Sequence, residues 1–290
     1  MAISNLPQRE EYLRKKKRQK QIKLVIFAVI LLIIFGVFIY VSHRPEFRVS
    51  IIELEGGVLV TKDDVEKKAK EYLSGSYLGL FPADNAFWYP SKELKVFLKD
   101  SFKRIDTIST NLKGFKTLII NITERKPFAV WCNTVPGEDN SAEEGISEES
   151  VSEEDCYFID QNGTIFSKAP NFSGDAYFKY YGIVSGDSVL GKEYLASSTE
   201  FGQIADFVQR TKAMSVKPVY IVAKEKNQFS MVLSGGGEIY FDTSESLVKV
   251  ADNLEALLKT PELSQDARGN LPIQYIDLRY GNKLFYKLKQ

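Results

Sequence analysis

The sequence contains very little histidine and cysteine. Among its 290 residues there are one histidine and two cysteines. The single histidine, His43, comes two residues after the end of a long apolar run and lies at the start of the body of the chain. A Ser-His-Asp or Cys-His arrangement and a histidine-rich zinc site all need histidine within a folded domain. These classes of catalytic and metal site are therefore excluded from the body of the protein.

Glycine-rich phosphate-binding motifs are absent as well. No GxxxxGK[ST] motif occurs, and no GxGxxG follows a predicted strand. The glycines at 235–237 stand between two predicted strands, which indicates a turn. Acidic residues are plentiful, so a carboxylate pair for glycoside cleavage stays open, although a solvated surface accounts for most of them. We predict no catalytic residue, no cofactor, no metal ion, no small-molecule substrate and no nucleic-acid partner.

Acidic side chains are scarce in the first 23 residues. The formal net charge of the chain is zero. Residues 1–23, however, carry eight basic and two acidic side chains, a net charge of +6, and the remaining residues carry 30 basic and 36 acidic ones. A basic tail can bind nucleic acid, but next to a membrane-spanning helix it is explained more simply by orientation and contact with anionic lipid.

An uncharged apolar run follows this tail. Leu24 to Val41 comprises eighteen residues, which as a helix span roughly 27 Å, close to the thickness of a bilayer core. The alternatives are a buried core helix and a cleaved signal peptide. A signal peptide has a shorter apolar region and a small-x-small cleavage site, which residues 40–44 do not offer. We predict a single transmembrane helix over 24–42, a cytoplasmic tail over 1–23 and an exported body from residue 43.

The pattern after the membrane helix predicts a small domain with the order strand, helix, helix, strand, strand. An alternating segment at 47–54 indicates a half-buried strand, and Thr61 precedes a run with helical spacing. Ser91 is the predicted cap of a second helix. Segments 105–112 and 117–123 are the last two strands. This order favours a small sheet with both helices on one face.

The rest of the chain, from about Pro127, predicts a mainly antiparallel sheet with one or two packed helices. Two capping boxes, Ser197 with Glu200 and Asp242 with Glu245, are the predicted starts of the helices. The predicted fold class is therefore α+β. The strand candidates are 128–132, 156–159, 164–167, 177–184, 219–223, 228–233, 238–241, 273–278 and 283–288.

An acidic segment interrupts the second domain. Residues 137–155 contain nine acidic side chains, no basic one and no aromatic one. Such a segment buries too little apolar surface to offset the entropy of ordering it, so we predict a disordered loop. A calcium site is the alternative, but the acidic residues do not follow the register of an EF-hand loop.

Three short motifs give the chain a family resemblance. They are Glu-Arg-Lys-Pro-Phe-Ala at 124–129, Ile-Asp-Gln-Asn-Gly at 159–163 and Asp-Leu-Arg-Tyr at 277–280. Together with the order of tail, anchor and two domains, they resemble the FtsQ/DivIB family of bacterial cell-division proteins. The resemblance implies a POTRA domain at 43–126 and a C-terminal β domain at 127–290. Asp242, where many members have glycine, and the acidic insertion depart from the family pattern.

The resemblance implies a non-enzymatic scaffold of the divisome. Such a protein is anchored in the bacterial cell membrane at the septum and recruits bitopic partners of the FtsB and FtsL type. A membrane-anchored cell-wall enzyme or a POTRA-type translocation component is the alternative. In this family the C-terminal strands receive an FtsB-type partner strand. The positions that this implies here are Arg279, Tyr280, Leu284, Phe285 and Tyr286.

Two different roles are open to these five side chains. Arg279 is suited to pair with a partner carboxylate, and the tyrosines are amphipathic anchors of the kind found in binding hot spots. Alternate residues of a strand must also point into the core, so about half of the five are expected to face inward.

The two cysteines form a separate prediction. Cys132 and Cys156 each end a strand candidate, and these two strands flank the acidic segment. In an exported hairpin they lie close enough to form a disulfide at the base of the loop. Two buried free thiols are the alternative.

Overall fold

The structure is a computed structural model. In it the chain forms two compact units, Met1–Glu124 and Arg125–Gln290. An apolar N-terminal helix is followed by mixed α and β structure with a large, mostly antiparallel sheet, which confirms the predicted fold class. The predicted disordered loop lies outside the described residues except for Asp155. The structure describes residues 6–77, 79–134, 136, 155–170, 176–186, 188–281 and 283–289, with the backbone alone for 6–11.

The first helix, α1, spans Leu6–Ser42 and comprises 37 residues. It is longer than the predicted span because it continues through the basic tail, whose Lys, Arg, Gln and Glu residues are strong helix formers. Its apolar part is long enough and hydrophobic enough to cross a membrane.

The N-terminal unit continues after α1 with a small sheet and two further helices. The elements are β1 (Ile51–Glu55), α2 (Lys62–Leu73), β2 (Ser76–Tyr77), β3 (Phe81–Pro82), α3 (Ser91–Ser101), β4 (Ile105–Lys113) and β5 (Thr117–Glu124). Three of the strands form a sheet in the order β1-β5-β4, in which β1 is parallel to β5 and β4 is antiparallel to it. Helices α2 and α3 contribute to one buried cluster together with the alternating face of β5, Leu118, Ile120 and Ile122.

The start of each helix in this unit differs in its capping. Thr61 caps α2 as predicted, because its side chain accepts a hydrogen bond from the Asp64 backbone N–H. The prediction for α3 was wrong by one residue, since Pro90 stands at the N-cap and makes no side-chain bond. The Ser91 hydroxyl is instead 3.0 Å from the Thr110 hydroxyl on β4.

Glu124, the first residue of the first family motif, connects the end of β5 to the loop after β1. Its Oε1 accepts hydrogen bonds from the backbone N–H groups of Val58, Leu59 and Val60, at 2.7, 2.8 and 2.9 Å. Burial opposes ionisation of this carboxyl, but the three N–H bonds outweigh it, so the pKa of Glu124 lies below its usual value.

The C-terminal unit contains one large sheet and two helices. The elements are β6 (Ala129–Cys132), β7 (Cys156–Ile159), β8 (Ile165–Lys168), β9 (Lys179–Tyr181), α4 (Ser198–Ala213), β10 (Pro218–Glu225), β11 (Gln228–Leu233), β12 (Glu238–Asp242), α5 (Leu247–Leu257), β13 (Ile273–Tyr280) and β14 (Lys283–Leu288). The sheet has nine described strands in the order β14-β13-β12-β11-β10-β9-β6-β7-β8. Three neighbouring pairs are parallel, β12–β13, β9–β10 and β6–β9, and the other five are antiparallel.

The helices α4 and α5 cover one face of this sheet. Large side chains such as Trp131, Phe201 and Phe241 are fully buried there. Ser197 caps α4 as predicted. The second predicted capping box is wrong, because α5 begins only at Leu247, and Asp242 accepts a bond from the Ser244 backbone N–H in a turn.

The second family motif forms the turn between β7 and β8. Asp160 Oδ1 accepts bonds from the backbone N–H groups of Asn162 and Thr164, and the other carboxylate oxygen pairs with Arg125 of the first motif. Gly163 has a φ of 79°, and a Cβ there would lie 2.8 Å from the Phe201 ring. The motif residues therefore fix a turn against helix α4.

Candidate functional site

One end of the nine-stranded sheet is open. β14 is the last strand in the order, and along the described residues it pairs with β13 alone. The backbone groups on its other side therefore have no neighbouring strand in the part of the chain that the structure describes. Such an edge is a template for adding a strand from another chain.

The register with β13 shows where the side chains of β14 point. Tyr286 is opposite Ile276, and Phe285 is opposite Asp277. Opposed residues share a face of the sheet. Ile276 belongs to the buried core, so Tyr286 lies on the helix-covered face and Phe285 on the other face. Leu284 packs against the core, which is the inward-facing role that was expected for some of these side chains.

Aromatic rings stand on both sides of this open edge. Tyr280 is 57% exposed and Phe285 50% exposed, and their ring centroids are 5.6 Å apart in an edge-to-face arrangement. Tyr286 is 40% exposed on the other face. The structure thus brings all five sequence-predicted residues together in the β13–β14 hairpin, with three exposed aromatic side chains at the edge.

Arg279 is held by contacts within the chain. Its Nε and Nη2 donate to the two carboxylate oxygens of Asp277 at 2.9 and 2.6 Å, and its Nη1 donates to the Gln228 side chain at 2.9 Å. These bonds use three of the five N–H groups of a guanidinium. The hydrogen bond with Asp277 raises the pKa of Arg279 above its usual value. Pairing with a partner carboxylate stays a prediction and would use the remaining N–H groups.

Sequence reasoning missed a polar and aromatic surface beside this hairpin. The Arg279 guanidinium lies 5.3 Å from the centre of the Tyr240 ring, and that ring is 6.0 Å from the Tyr275 ring. The Ser230 hydroxyl donates to Glu238 at 2.6 Å. The period-two alternation of the strands was the available signal, because it places Glu238 and Tyr240 on the same face.

The opposite end of the sheet is covered. Along β8 the Ile165 backbone N–H donates to the Lys192 carbonyl at 2.9 Å, and Gly191 N–H donates back to the Ile165 carbonyl at 2.6 Å. An isolated bridge joins Thr164 to Glu193. The segment at 191–193 therefore bonds to the outer backbone groups of β8, whereas the corresponding groups of β14 have no such neighbour among the described residues.

The two cysteines are opposed on β6 and β7. Cys132 and Cys156 are direct partners in the antiparallel register, and their sulfur atoms are joined at 2.02 Å. They lie on the sheet face away from the main core, beside Val130, Tyr181 and Val222.

The described residues offer little for metal binding or glycoside cleavage. No group of three or more His, Cys, Asp or Glu side chains that could hold a metal ion occurs among them. A cleft of about 560 Å³ on the C-terminal unit is lined by lysines and aromatic side chains such as Lys179, Lys212 and Tyr220. Among the described residues no carboxylate lines this cleft, whereas glycoside cleavage uses a pair of carboxylates.

Comparison with known proteins gives relatives that are similar along nearly the whole chain. No protein-family model matches it. The chain is 22% identical over 280 residues to the cell division protein DivIB of Clostridium botulinum strain Loch Maree / Type A3, and the alignment covers 96% of both chains. It is 23% identical, with the same coverage, to the cell division protein DivIB of Clostridium botulinum strain Hall / Type A.

Proposed function

We propose that this chain, which belongs to the FtsQ/DivIB family of bacterial cell-division proteins, is a non-enzymatic scaffold of the division machinery. The chain has a role in cell division and carries one N-terminal apolar helix suited to a single membrane span. The observation that carries the proposal is the open β14 edge with its exposed aromatic side chains. A scaffold needs such a surface and needs no catalytic group.

The proposed arrangement follows the charge pattern of the sequence. The basic tail at 1–23 lies in the cytoplasm, residues 24–42 cross the cell membrane, and a POTRA domain at 43–126 and a β domain at 127–290 lie outside. The protein acts at the division septum. A reporter active only outside the cytoplasm, fused after residue 290, tests the topology, because a cytoplasmic body would leave it inactive.

The proposed partners are bitopic division proteins of the FtsB and FtsL type, and the FtsB-type protein is the one proposed to bind the β14 edge. One of its extended segments pairs with β14, so main-chain hydrogen bonds supply affinity on an edge that this chain leaves open. Phe285 and Tyr280 contact partner side chains on one face of the extended sheet, and Tyr286 contacts them on the other. Arg279 contributes the N–H groups that Asp277 and Gln228 do not occupy.

Truncation after residue 282 tests the edge directly. It removes β14 and leaves α1 and the whole N-terminal unit in place. The measurement is co-purification of the organism's FtsB-type protein from membranes, with the full chain as the positive control. We expect co-purification to be lost. Unchanged co-purification would place the partner elsewhere on the chain and overturn the proposed binding edge.

Localisation tests the wider role. A fluorescent fusion of the full chain is expected to form a band at midcell in dividing cells, and depletion is expected to produce filaments. A fusion distributed evenly around the membrane, together with normal division on depletion, would contradict the scaffold role. Turnover of a peptidoglycan fragment by the purified chain would favour the cell-wall enzyme instead.

A further inference from the structure

Aromatic side chains of the N-terminal unit contact the membrane helix within its apolar span. The Phe81 ring lies 6.1 Å from the Phe35 ring and 5.8 Å from the Phe38 ring, measured between centroids. Trp88 is closer still to Phe38, at 5.1 Å. Both partners on α1 belong to the uncharged segment Leu24–Val41. Part of the folded unit therefore lies beside residues that the bilayer would otherwise surround.

The depth of these contacts can be counted along the helix. α1 ends at Ser42. With a rise of about 1.5 Å per residue, Phe38 lies about 6 Å and Phe35 about 10 Å before that end. The buried Asn85 side chain donates to the Ser42 carbonyl at 2.9 Å. This bond fixes the segment that carries Phe81 and Trp88 to the end of the helix.

The aromatic cluster continues from the helix to an exposed surface. The Phe87 ring is 6.2 Å from Trp88 and 5.3 Å from Phe115, and Phe47 contacts both Phe87 and Phe115. Phe87 is 59% exposed and Phe115 49% exposed. These exposed phenylalanine rings connect to the membrane helix through Trp88, and they form an apolar patch that no other described part of the chain covers.

Basic residues lie next to Phe115 in the sequence and just after the end of α1. Phe115 lies in the turn between β4 and β5, where Lys113 and Lys116 flank it and both are exposed. Arg44, just after the end of α1, lies 5.2 Å from the centre of the Tyr40 ring. Aromatic rings at the level of lipid headgroups, with lysine and arginine beside them, are typical of membrane-interface anchors.

We propose that the N-terminal unit rests on the bilayer, with Phe87 and Phe115 inserted at the interface of the leaflet where α1 leaves the membrane. The lysines at 113 and 116 contact lipid phosphates there. The bilayer is the occupant because the patch is continuous with the apolar span of α1. The unit is thereby held in a fixed orientation at the membrane. This inference needs α1 to span a membrane and does not depend on the partner that β14 binds.

A fluorescent label at Phe87 tests the proposal in the full chain. Among the described residues there is no free cysteine, so Phe87→Cys provides a single reactive thiol for an environment-sensitive dye. The matched control is Val58→Cys, because Val58 is 86% exposed in the same unit. It follows the other end of β1, about 13 Å along the strand from the end near Phe115.

Each variant is placed as a single copy in a nanodisc that contains phosphatidylcholine and phosphatidylglycerol. Quenching by nitroxide-labelled lipid is measured for the two positions. We expect several-fold stronger quenching and a blue-shifted emission for the label at 87, and the same result for Phe115→Cys. Quenching at 87 and 115 no stronger than at 58 would overturn the proposal. A blue-shifted emission at 87 that appears only with several copies per disc would also overturn the proposal, because a second copy of the chain would then cover the patch.

Discussion

The two outermost strands of the nine-stranded sheet end it in different ways. At the β8 end, the segment at 191–193 bonds to Ile165 and bridges Thr164. At the β14 end, no described segment takes that place, and aromatic rings stand exposed on both faces. Covering an edge strand prevents non-specific pairing with other chains. An edge that stays open in the same sheet is therefore a candidate for specific pairing with a partner strand.

The side chains of the two outermost strands differ in the same way as their backbones. Ile165 and Phe166 on β8 are buried, whereas Phe285 and Tyr286 on β14 are exposed. The disulfide and the Gly163 turn also lie at the β8 end. Under the proposed function, one end of the sheet serves stability and the other end serves binding. Substitutions at the two ends should therefore change different measurements.

The largest expected effect on stability is at the disulfide. Replacing both cysteines, Cys132→Ser with Cys156→Ser, removes a cross-link that encloses a long loop. The chain-entropy model gives a loss of about 3 kcal/mol in the free energy of unfolding, measured by urea denaturation of the purified chain. Reduction of the unmodified chain is the control and should give the same loss. Equal stability of the oxidised and serine forms would contradict the assigned role of this end.

Gly163→Ala is expected to have the next largest effect. A Cβ at this positive φ is strained and would lie 2.8 Å from Phe201, so we expect a loss of about 2 kcal/mol. The matched control is Gly202→Ala on α4, where nothing lies within 4 Å of the added Cβ. There we expect a gain of up to about 1 kcal/mol, because alanine favours a helix interior. Losses of the same size at both glycines would show that the turn has no special requirement.

Arg279→Ala tests the ion pair between Arg279 and Asp277 on β13, the strand next to β14. Asp277 is only 7% exposed and accepts two side-chain N–H bonds from Arg279. Removing those donors from a partly buried pair should cost about 1 kcal/mol of unfolding free energy. Arg279→Lys keeps the charge but not the two-bond geometry and should restore part of the loss. If Arg279→Ala leaves the free energy of unfolding unchanged, the Arg279–Asp277 pair does not contribute to stability.

Period-two and helical patterns predicted the regular elements well. In β5 the alternation of Leu118, Ile120 and Ile122 reports burial directly, and the structure buries all three. The start of α5 was predicted four residues too early, because Asp242 and Glu245 fit a capping box in sequence while a turn uses Asp242 locally. A short range of sequence cannot distinguish these two uses of a carboxylate.

The features that define the site depend on contacts between distant residues. The cover at 191–193 is irregular backbone and has no periodic pattern. The bond from Arg279 to Gln228 joins β13 to β11, strands that are not neighbours in the sheet. The positions of the candidate residues at 279–286 came from a family resemblance, whereas their faces and exposures needed the register of β13 with β14.

The smallest expected effect on stability, and the sharpest test of the comparison, is at Phe285. This ring is half exposed on an edge strand, so Phe285→Lys should change the free energy of unfolding by less than about 0.5 kcal/mol. It places a charge on the proposed pairing edge and should weaken co-purification of the FtsB-type partner. Val248→Lys on α5 is the control, since Val248 is also about half exposed but belongs to a helix and not to the edge strand. Equal partner binding by the two lysine variants would mean that the open edge is not the binding surface. Because neither change disturbs the core, this result stays interpretable even if truncation after residue 282 destabilises the C-terminal unit.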